Sequence, residues 1–311
     1  MKVLVLGGTG WLGHRIARLL ADKNIDVTIA TRGRKQEFAG NVANIKTVVA
    51  DKNDENAMRE LFETRFTHVI DSVPSVEAVA LIHKYGAGVR HYLHCSSTGG
   101  YAPLPFIPCN ETAPYTGFPF QSGWKGKCIV DNLALQLFRE NGFPATVIRP
   151  CYITGPGKLP LDNFGGRRPD FIPDLIAEKT LDLPDNGEAL LQPIHVDDLA
   201  NSFYLAMMNP RNSVGEVYNI CLDHAVTLNR YLEINAGVFG RKPHINYVPL
   251  DEMAAKYGDS ISELGLRFLA SHMCYSIDKA KRDLGYRPSC TPEEAIEETA
   301  RWAAKEAGCI R

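Results

Sequence analysis

The residues with the clearest chemical potential lie at the start of the chain. Gly7-Gly8-Thr9-Gly10-Trp11-Leu12-Gly13 follows a short apolar run, Val3–Leu6, and opens an amphipathic stretch. A tight turn needs Gly7, close approach of the backbone to a pyrophosphate needs Gly10, and close packing of helix on strand needs Gly13. The helix N-terminus adds free N–H groups and positive potential, so the segment reads as a phosphate cradle. The second apolar run ends Ala30-Thr31-Arg32-Gly33-Arg34-Lys35. An NAD site normally places an acid here to hold the ribose 2′-hydroxyl. None is present, and Arg32, Arg34 and Lys35 stand in its place. A guanidinium suits a 2′-phosphate through charge-assisted, often bidentate bonds, so the expected cofactor is NADP. A solvated basic loop is the plainer reading of the same residues. Asp51, in Val48-Val49-Ala50-Asp51-Lys52, is placed to accept from an adenine amino group or, equally, to cap the next helix.

These groups need a repeating frame to hold them. Val3–Leu6, Val27–Ala30, Ile45–Val49, His68–Ile70, Tyr92–His94 and Ala145–Ile148 read as short buried strands. Between them Trp11–Asp22, Glu55–Phe62, Val76–Tyr85 and Lys127–Arg139 carry helical spacing; Leu12, Ile16, Leu19 and Leu20 share one face of the first. Alternation of this kind predicts an α/β fold, a doubly wound parallel sheet with helices on both faces. From Gly155 to Asp170 the chain turns rich in Gly and Pro, a loop or lid with Arg167 and Arg168 near its end. Val217–Ile220 reads as one more buried strand, and the remainder is mostly helical. The last helix opens on Thr291, Pro292 and Glu294, which are spaced for a capping box.

The chain's 311 residues carry a formal net charge of −2, 45% hydrophobic and 23% charged side chains. Nothing in that balance draws it to nucleic acid or to an anionic membrane. No apolar run approaches the roughly 20 residues of a membrane span. The eight cysteines are scattered without a Cys-x-x-Cys pair, which fits reduced thiols in a cytoplasmic protein. His91, His94 and Cys95 lie close together but on an apparent strand with no second ligand cluster, so no metal is expected.

Further segments recur in a fixed order: Gly88 to Ser97, Glu111-Thr112-Ala113-Pro114, Val147-Ile148-Arg149-Pro150 with Gly155-Pro156-Gly157, Ile194 to Ala200, and Gly215 to Ile220. With the glycine motif they make the chain resemble the short-chain dehydrogenase/reductase superfamily, in its extended, epimerase/dehydratase-like branch, nearly end to end. The resemblance implies a dinucleotide-binding (Rossmann) domain over residues 1–154 with about 191–222, and a smaller, mostly helical substrate domain over 155–190 and 223–311. It assigns Gly7, Thr9, Gly10, Trp11, Leu12, Gly13, Lys127, Pro150 and Ile153 to the cofactor.

In that family a Ser, a Tyr and a Lys act together. The Tyr exchanges a proton with the substrate oxygen, the Lys binds the nicotinamide ribose and lowers the Tyr pKa, and the Ser polarises the oxygen. Ser97 matches the Ser and Lys127 the Lys, but Gly123 occupies the Tyr slot; reading Lys125 as the Lys puts Gln121 there. The chain's one Tyr-x-x-x-Lys, Tyr275 to Lys279, lies far from the fifth strand and reads as structural. Tyr101, or less readily Tyr115 or Tyr152, is the candidate substitute donor; packing against the pocket wall is the alternative for each. His195 and Asp197 read as a structural turn. Arg167 and Arg168 suit an anionic substrate or solvent equally.

The functional expectation is an NADP-dependent oxidoreductase or epimerase/dehydratase acting on a small polar molecule, possibly a sugar nucleotide, with an atypical proton donor. The alternative is a non-catalytic NADP-binding regulatory or RNA-associated protein. A homodimer through the helices around the fourth and fifth strands is the expected assembly, with no nucleic-acid or membrane partner.

Overall fold

The computed structural model describes residues 1–34, 37–117 and 122–310, with the side chains of residues 122–124 left out. The first half runs β1 (Lys2–Leu6), α1 (Trp11–Asp22), β2 (Asp26–Thr31), β3 (Lys46–Val49), α2 (Glu55–Leu61), β4 (His68–Asp71), α3 (Val76–Tyr85), β5 (His91–Cys95), α4 (Ser122–Asn141) and β6 (Ala145–Pro150). Then come β7 (Tyr152–Thr154), α5 (Phe171–Ile176), β8 (Thr180–Pro184), β9 (Leu190–Leu191), β10 (Pro193–His195), α6 (Val196–Met208), α7 (Pro210–Ser213) and β11 (Val217–Ile220). The chain ends with β12 (Val226–Thr227), α8 (Leu228–Gly237), β13 (His244–Val248), α9 (Leu250–Tyr257), α10 (Glu263–Leu269), α11 (Asp278–Leu284) and α12 (Pro292–Glu306).

Seven strands form one sheet in the order β11-β6-β5-β4-β1-β2-β3, and every pairing in it is parallel. The burial of β1 shows why. Val3 and Val5 point into a core with Ile16 and Leu20 of α1 and Leu199 and Phe203 of α6. Leu4 and Leu6 point the other way, into a core with Met58 of α2, Ile82 of α3 and Val130 of α4. A strand apolar on both faces needs helices on both faces, which the crossover connections of a parallel sheet supply. The strand order reverses between β1 and β4. In open α/β sheets the crevice outside the carboxyl ends of the strands at such a reversal is where ligands bind.

The structure adds strands to the region read as loop and helix. β8 pairs in parallel with β13, and β9 pairs antiparallel with β12. β13 carries no clean alternation and is mostly exposed, so its sequence hides it. It is held through Asp182 of β8, which accepts from Asn246 at 2.8 Å, Tyr257 at 2.8 Å and Lys256 at 2.5 Å. Helix α4 also starts earlier than its apolar spacing suggests. The capping box of α12 forms: Thr291 Oγ1 accepts from the Glu294 N–H at 3.2 Å, and the Glu294 carboxylate from the Thr291 N–H at 2.8 Å. No helix among the described residues is long and apolar enough to cross a membrane.

Candidate active site

The turn after β1 is drawn tight by its glycines. Gly7 has φ +75°. A Cβ on Gly13 would lie 2.2 Å from the Gly7 carbonyl oxygen, and one on Gly10 would lie 3.3 Å from it. Gly10 is the N-cap of α1 and brings no side-chain acceptor, so the N–H groups of the first turn face outward for an anion. Gly7, Thr9 and Gly10 line a cleft of about 360 Å³ together with Arg32, Arg34 and Asp51. Among the described residues neither Arg32 nor Arg34 forms an ion pair, and both are exposed. Lys35 lies outside the described residues. A dinucleotide fits this donor set.

The other residues expected at the cofactor are placed unevenly, and only the capping role of Asp51 is corrected. Asp54, not Asp51, caps α2: its carboxylate accepts from the Ala57 N–H at 2.8 Å, while Asp51 accepts from the Asn53 N–H at 3.0 Å and stays on the cleft wall. Leu12 sends its side chain into the core, leaving only its backbone toward the turn. Trp11 and Ile153 line a second cavity instead, because the Trp11 indole Nε1–H donates to the Pro156 carbonyl at 2.7 Å and so turns toward the Gly- and Pro-rich loop. Pro150 ends β6, buried and paired with Ile220. One residue of the cleft escaped notice in the sequence: Lys52 reaches across to the fully buried Asp71 at 2.8 Å and donates to the Val73 carbonyl. Its place beside Asp51 was the available signal.

At the carboxyl end of β5, Ser97 accepts the Gly99 N–H at 3.1 Å and keeps its own proton to donate. Lys127 leans on the same strand end, its Nζ 3.1 Å from the Cys95 carbonyl oxygen. Beneath them lies a buried polar network. Asp131 of α4, 0% exposed, accepts from His94 Nε2 at 2.8 Å, Ser96 Oγ at 2.8 Å and Arg149 Nε at 3.0 Å. Burial pushes the Asp131 carboxyl up, but His94, Arg149 and Ser96 together outweigh it and hold the group below the usual carboxylate range. The other His of the strand, His91, bonds Thr146 through Nε2 at 2.7 Å.

This network accounts for Tyr101, the expected proton donor. Its hydroxyl accepts from Arg149 Nη1 at 2.7 Å, the residue is 2% exposed, and burial pushes its phenol well up despite the guanidinium. The acid lowered by Lys127 is therefore not found at Tyr101. Tyr115 is also engaged: it donates to the Ser97 carbonyl at 2.7 Å, and the Arg149 guanidinium lies 3.3 Å from its ring centroid. Burial likewise raises its phenol. Of the three candidate tyrosines, only Tyr152 shares a cavity wall with Ser97. Gln121 and the side chain of Trp124 lie outside the described residues. Tyr275 is buried beside Tyr101, with ring centroids 6.1 Å apart, and Lys279 pairs with Glu216 at 2.6 Å.

The cavity beside Ser97 has a volume of about 250 Å³. Its loop wall is organised by Asp162, whose carboxylate accepts from the N–H groups of Phe164, Gly166 and Arg168 at 2.8, 3.0 and 2.9 Å. The two arginines part company there. Arg168 is pinned to Asp174 at 2.7 Å, whereas Arg167 lines the cavity and donates to the carbonyls of Ile153, at 2.8 Å, and Leu159. His195 is structural in this arrangement: its Nδ1 accepts from the Asp197 N–H at 3.2 Å as the N-cap of α6, and its Nε2 meets Glu298 at 3.0 Å. Asp197 pairs with Arg15 at 2.5 Å. Phe268, Leu269 and Met273, unremarked in the sequence, complete the cavity.

Comparison with known proteins agrees with this geometry. The chain is 27% identical over 314 residues to the chloroplast stem-loop binding protein of 41 kDa b of Arabidopsis thaliana, an alignment covering 96% of this chain and 78% of that protein. It is 23% identical to the 4-hydroxy-2-methyl-3-oxo-4-farnesyl-3,4-dihydroquinoline-1-oxide ketoreductase of Stigmatella aurantiaca, over 96% of this chain and 95% of that one. The crystal structure of UDP-glucose 4-epimerase with UDP-glucose from Thermotoga maritima superposes with a TM-score of 0.76 at 20% identity, covering 98% of this chain and 99% of the other. Residues 3–80 and 67–221 match the NAD dependent epimerase/dehydratase family, and the chain belongs to that family of enzymes.

Proposed function

We propose that the chain is an NADP-linked oxidoreductase or epimerase/dehydratase acting on a small molecule held beside Ser97. The observation that carries the cofactor preference is the placement of Arg32 and Arg34 on the same cleft as Gly7, Thr9 and Gly10, with no acid at the end of β2. A bound nicotinamide supplies hydride exchange. Ser97 donates to the substrate oxygen, and Lys127 holds the ribose and supplies positive charge at the strand end. Tyr152 is the proton donor this reading favours, since it faces the cavity that Ser97 faces. Its hydroxyl accepts from the Leu161 N–H at 2.5 Å and lies 3.5 Å from the Tyr231 hydroxyl, whose own proton goes to the Leu161 carbonyl at 2.8 Å; in this reading the Tyr152 proton turns from Tyr231 to the substrate oxygen.

Calorimetric titration with both dinucleotides tests the cofactor. NADP should bind more tightly than NAD. Arg32→Ala should weaken NADP about tenfold or more, as expected for the loss of one charge-assisted bond, and leave NAD unchanged. Equal affinities, unaltered by the substitution, would end the proposal.

A second reading, RNA association, is favoured by the name of the Arabidopsis thaliana relative. The net charge of −2 weighs against it. Binding of a stem-loop RNA with a steep inverse dependence on salt would support it, because phosphate contacts release counterions.

A further inference from the structure

The wall of the cavity beside Ser97 bears on the substrate, given the proposed reading of Ser97 as the group that meets the substrate oxygen. Ile153, Leu161, Phe268, Leu269 and Met273 supply apolar surface, and Trp11 supplies an aromatic face. No carboxylate, amide or imidazole side chain lines it among the described residues. Thr98 and Cys151 are 2% and 8% exposed and turn little polar surface to the space. The two cations on the wall are already engaged. Arg167 gives its guanidinium to the Leu159 carbonyl and, at 2.8 Å, to that of Ile153, and it stands 5.0 Å from the Tyr152 ring centroid. Lys158 holds its Nζ 5.3 Å from the Trp11 ring centroid.

Two hydroxyl groups are left for the polar atoms of a ligand. Ser97 Oγ accepts from the Gly99 N–H and keeps its proton. Tyr152 has only a 3.5 Å contact with the Tyr231 hydroxyl to give up. Two donors suit one carbonyl oxygen with its two lone pairs. A sugar carries a hydroxyl on most of its carbons, and each one buried here without a partner loses its hydration uncompensated. The diphosphate of a sugar nucleotide adds anionic oxygens that call for free cations. Size points the same way. At about 250 Å³ the cavity is below the roughly 300–1,000 Å³ usual for drug-sized ligands. One end is closed by backbone meeting backbone: a Cβ on Gly165 would lie 2.1 Å from the Gly265 carbonyl oxygen, and one on Gly265 2.8 Å from that of Gly165. A nucleotide tail has no passage between the loop and α10.

We infer that this cavity takes a compact, uncharged ketone or its alcohol, with one oxygen on an otherwise hydrocarbon body, in preference to a sugar nucleotide. The oxygen meets Ser97 and Tyr152, and the hydrocarbon body lies against Phe268, Leu269 and Met273.

The test is calorimetric titration of the full chain, saturated with NADP, against three probes: 2-acetonaphthone, its anionic counterpart 2-naphthoate, and UDP-glucose. The oxidised dinucleotide has no hydride to give, so binding is read without turnover. 2-Acetonaphthone should bind at least about tenfold tighter than either of the others. Ile153 and Leu161 are only half-buried, so Ile153→Asn and Leu161→Asn probe the apolar wall at two separate points. Each should weaken 2-acetonaphthone about tenfold, the share of one apolar side chain. Circular dichroism identifies a variant that fails to fold, and the other then carries the comparison. Binding of UDP-glucose or 2-naphthoate as tight as that of 2-acetonaphthone overturns the inference, as does a ketone that does not bind, or a folded variant that holds it like the wild type. A protein that prefers 2-acetonaphthone yet never oxidises NADPH counts against the redox proposal alone. An active enzyme that binds UDP-glucose more tightly counts against this inference alone.

Discussion

Asp131→Ala is expected to destabilise the protein by about 3–5 kcal/mol, the cost of leaving a buried guanidinium without its counter-charge. Asp131 is 0% exposed and Arg149 4%, and the carboxylate also takes bonds from His94 and Ser96. Removing it strands three donors at once. Asp131→Asn keeps the shape and one acceptor oxygen and should cost less, so the pair separates charge from packing. Urea denaturation measures both. A loss under about 1 kcal/mol in Asp131→Ala, the range of exposed ion pairs, would show that the network contributes nothing as a unit. The same group sets an acid limit. Its pKa in the fold is held below the ordinary carboxylate value. Its contribution is therefore complete above the unfolded-state pKa of about 3.9, and it is lost as pH falls through the lower folded value. The wild type should lose this stability below about pH 4, and the Asn variant should lack that component.

Ser97→Ala should lower kcat about 100-fold or more, the usual loss when one preorganised donor to a reacting oxygen is removed, while leaving the dissociation constant of NADP unchanged. Lys127→Ala should reduce kcat comparably and also weaken the dinucleotide, because its ammonium is read as serving ribose and charge together. The split between the two variants is the informative result. Turnover that survives intact in Lys127→Ala would remove that residue from the machinery. An equal loss of cofactor affinity in both variants would place Ser97 on the dinucleotide rather than on the substrate.

Much of the frame could be seen in advance, and for a physical reason. A phosphate cradle demands glycine where backbone must approach backbone, as Gly13 shows against Gly7, and no other residue type hides that demand. A strand buried on both faces is likewise a continuous apolar run, as β1 is. Asp131 could not be foreseen. Along the sequence it is one carboxylate in a helical stretch, indistinguishable from a solvated position. Its burial is decided by His94 and Arg149, which arrive from two different strands. Tyr101 stayed ambiguous for the same reason: its loop position suggested the substrate edge, and the guanidinium that occupies its hydroxyl comes from β6. The apolar wall beside Ser97 was equally hidden, because Phe268, Leu269 and Met273 reach it from the far end of the chain. Local demands on the backbone are written locally; partnerships between distant side chains are not.

Trp11 belongs to the first turn of α1 and yet holds Pro156, 145 residues on, with Gly157 packed so closely that a Cβ there would lie 2.7 Å from the indole nitrogen. One side chain thus ties the turn after β1 to the loop over the neighbouring cavity. With a dinucleotide in one and a substrate in the other, as proposed, altering this indole should shift both saturation curves together.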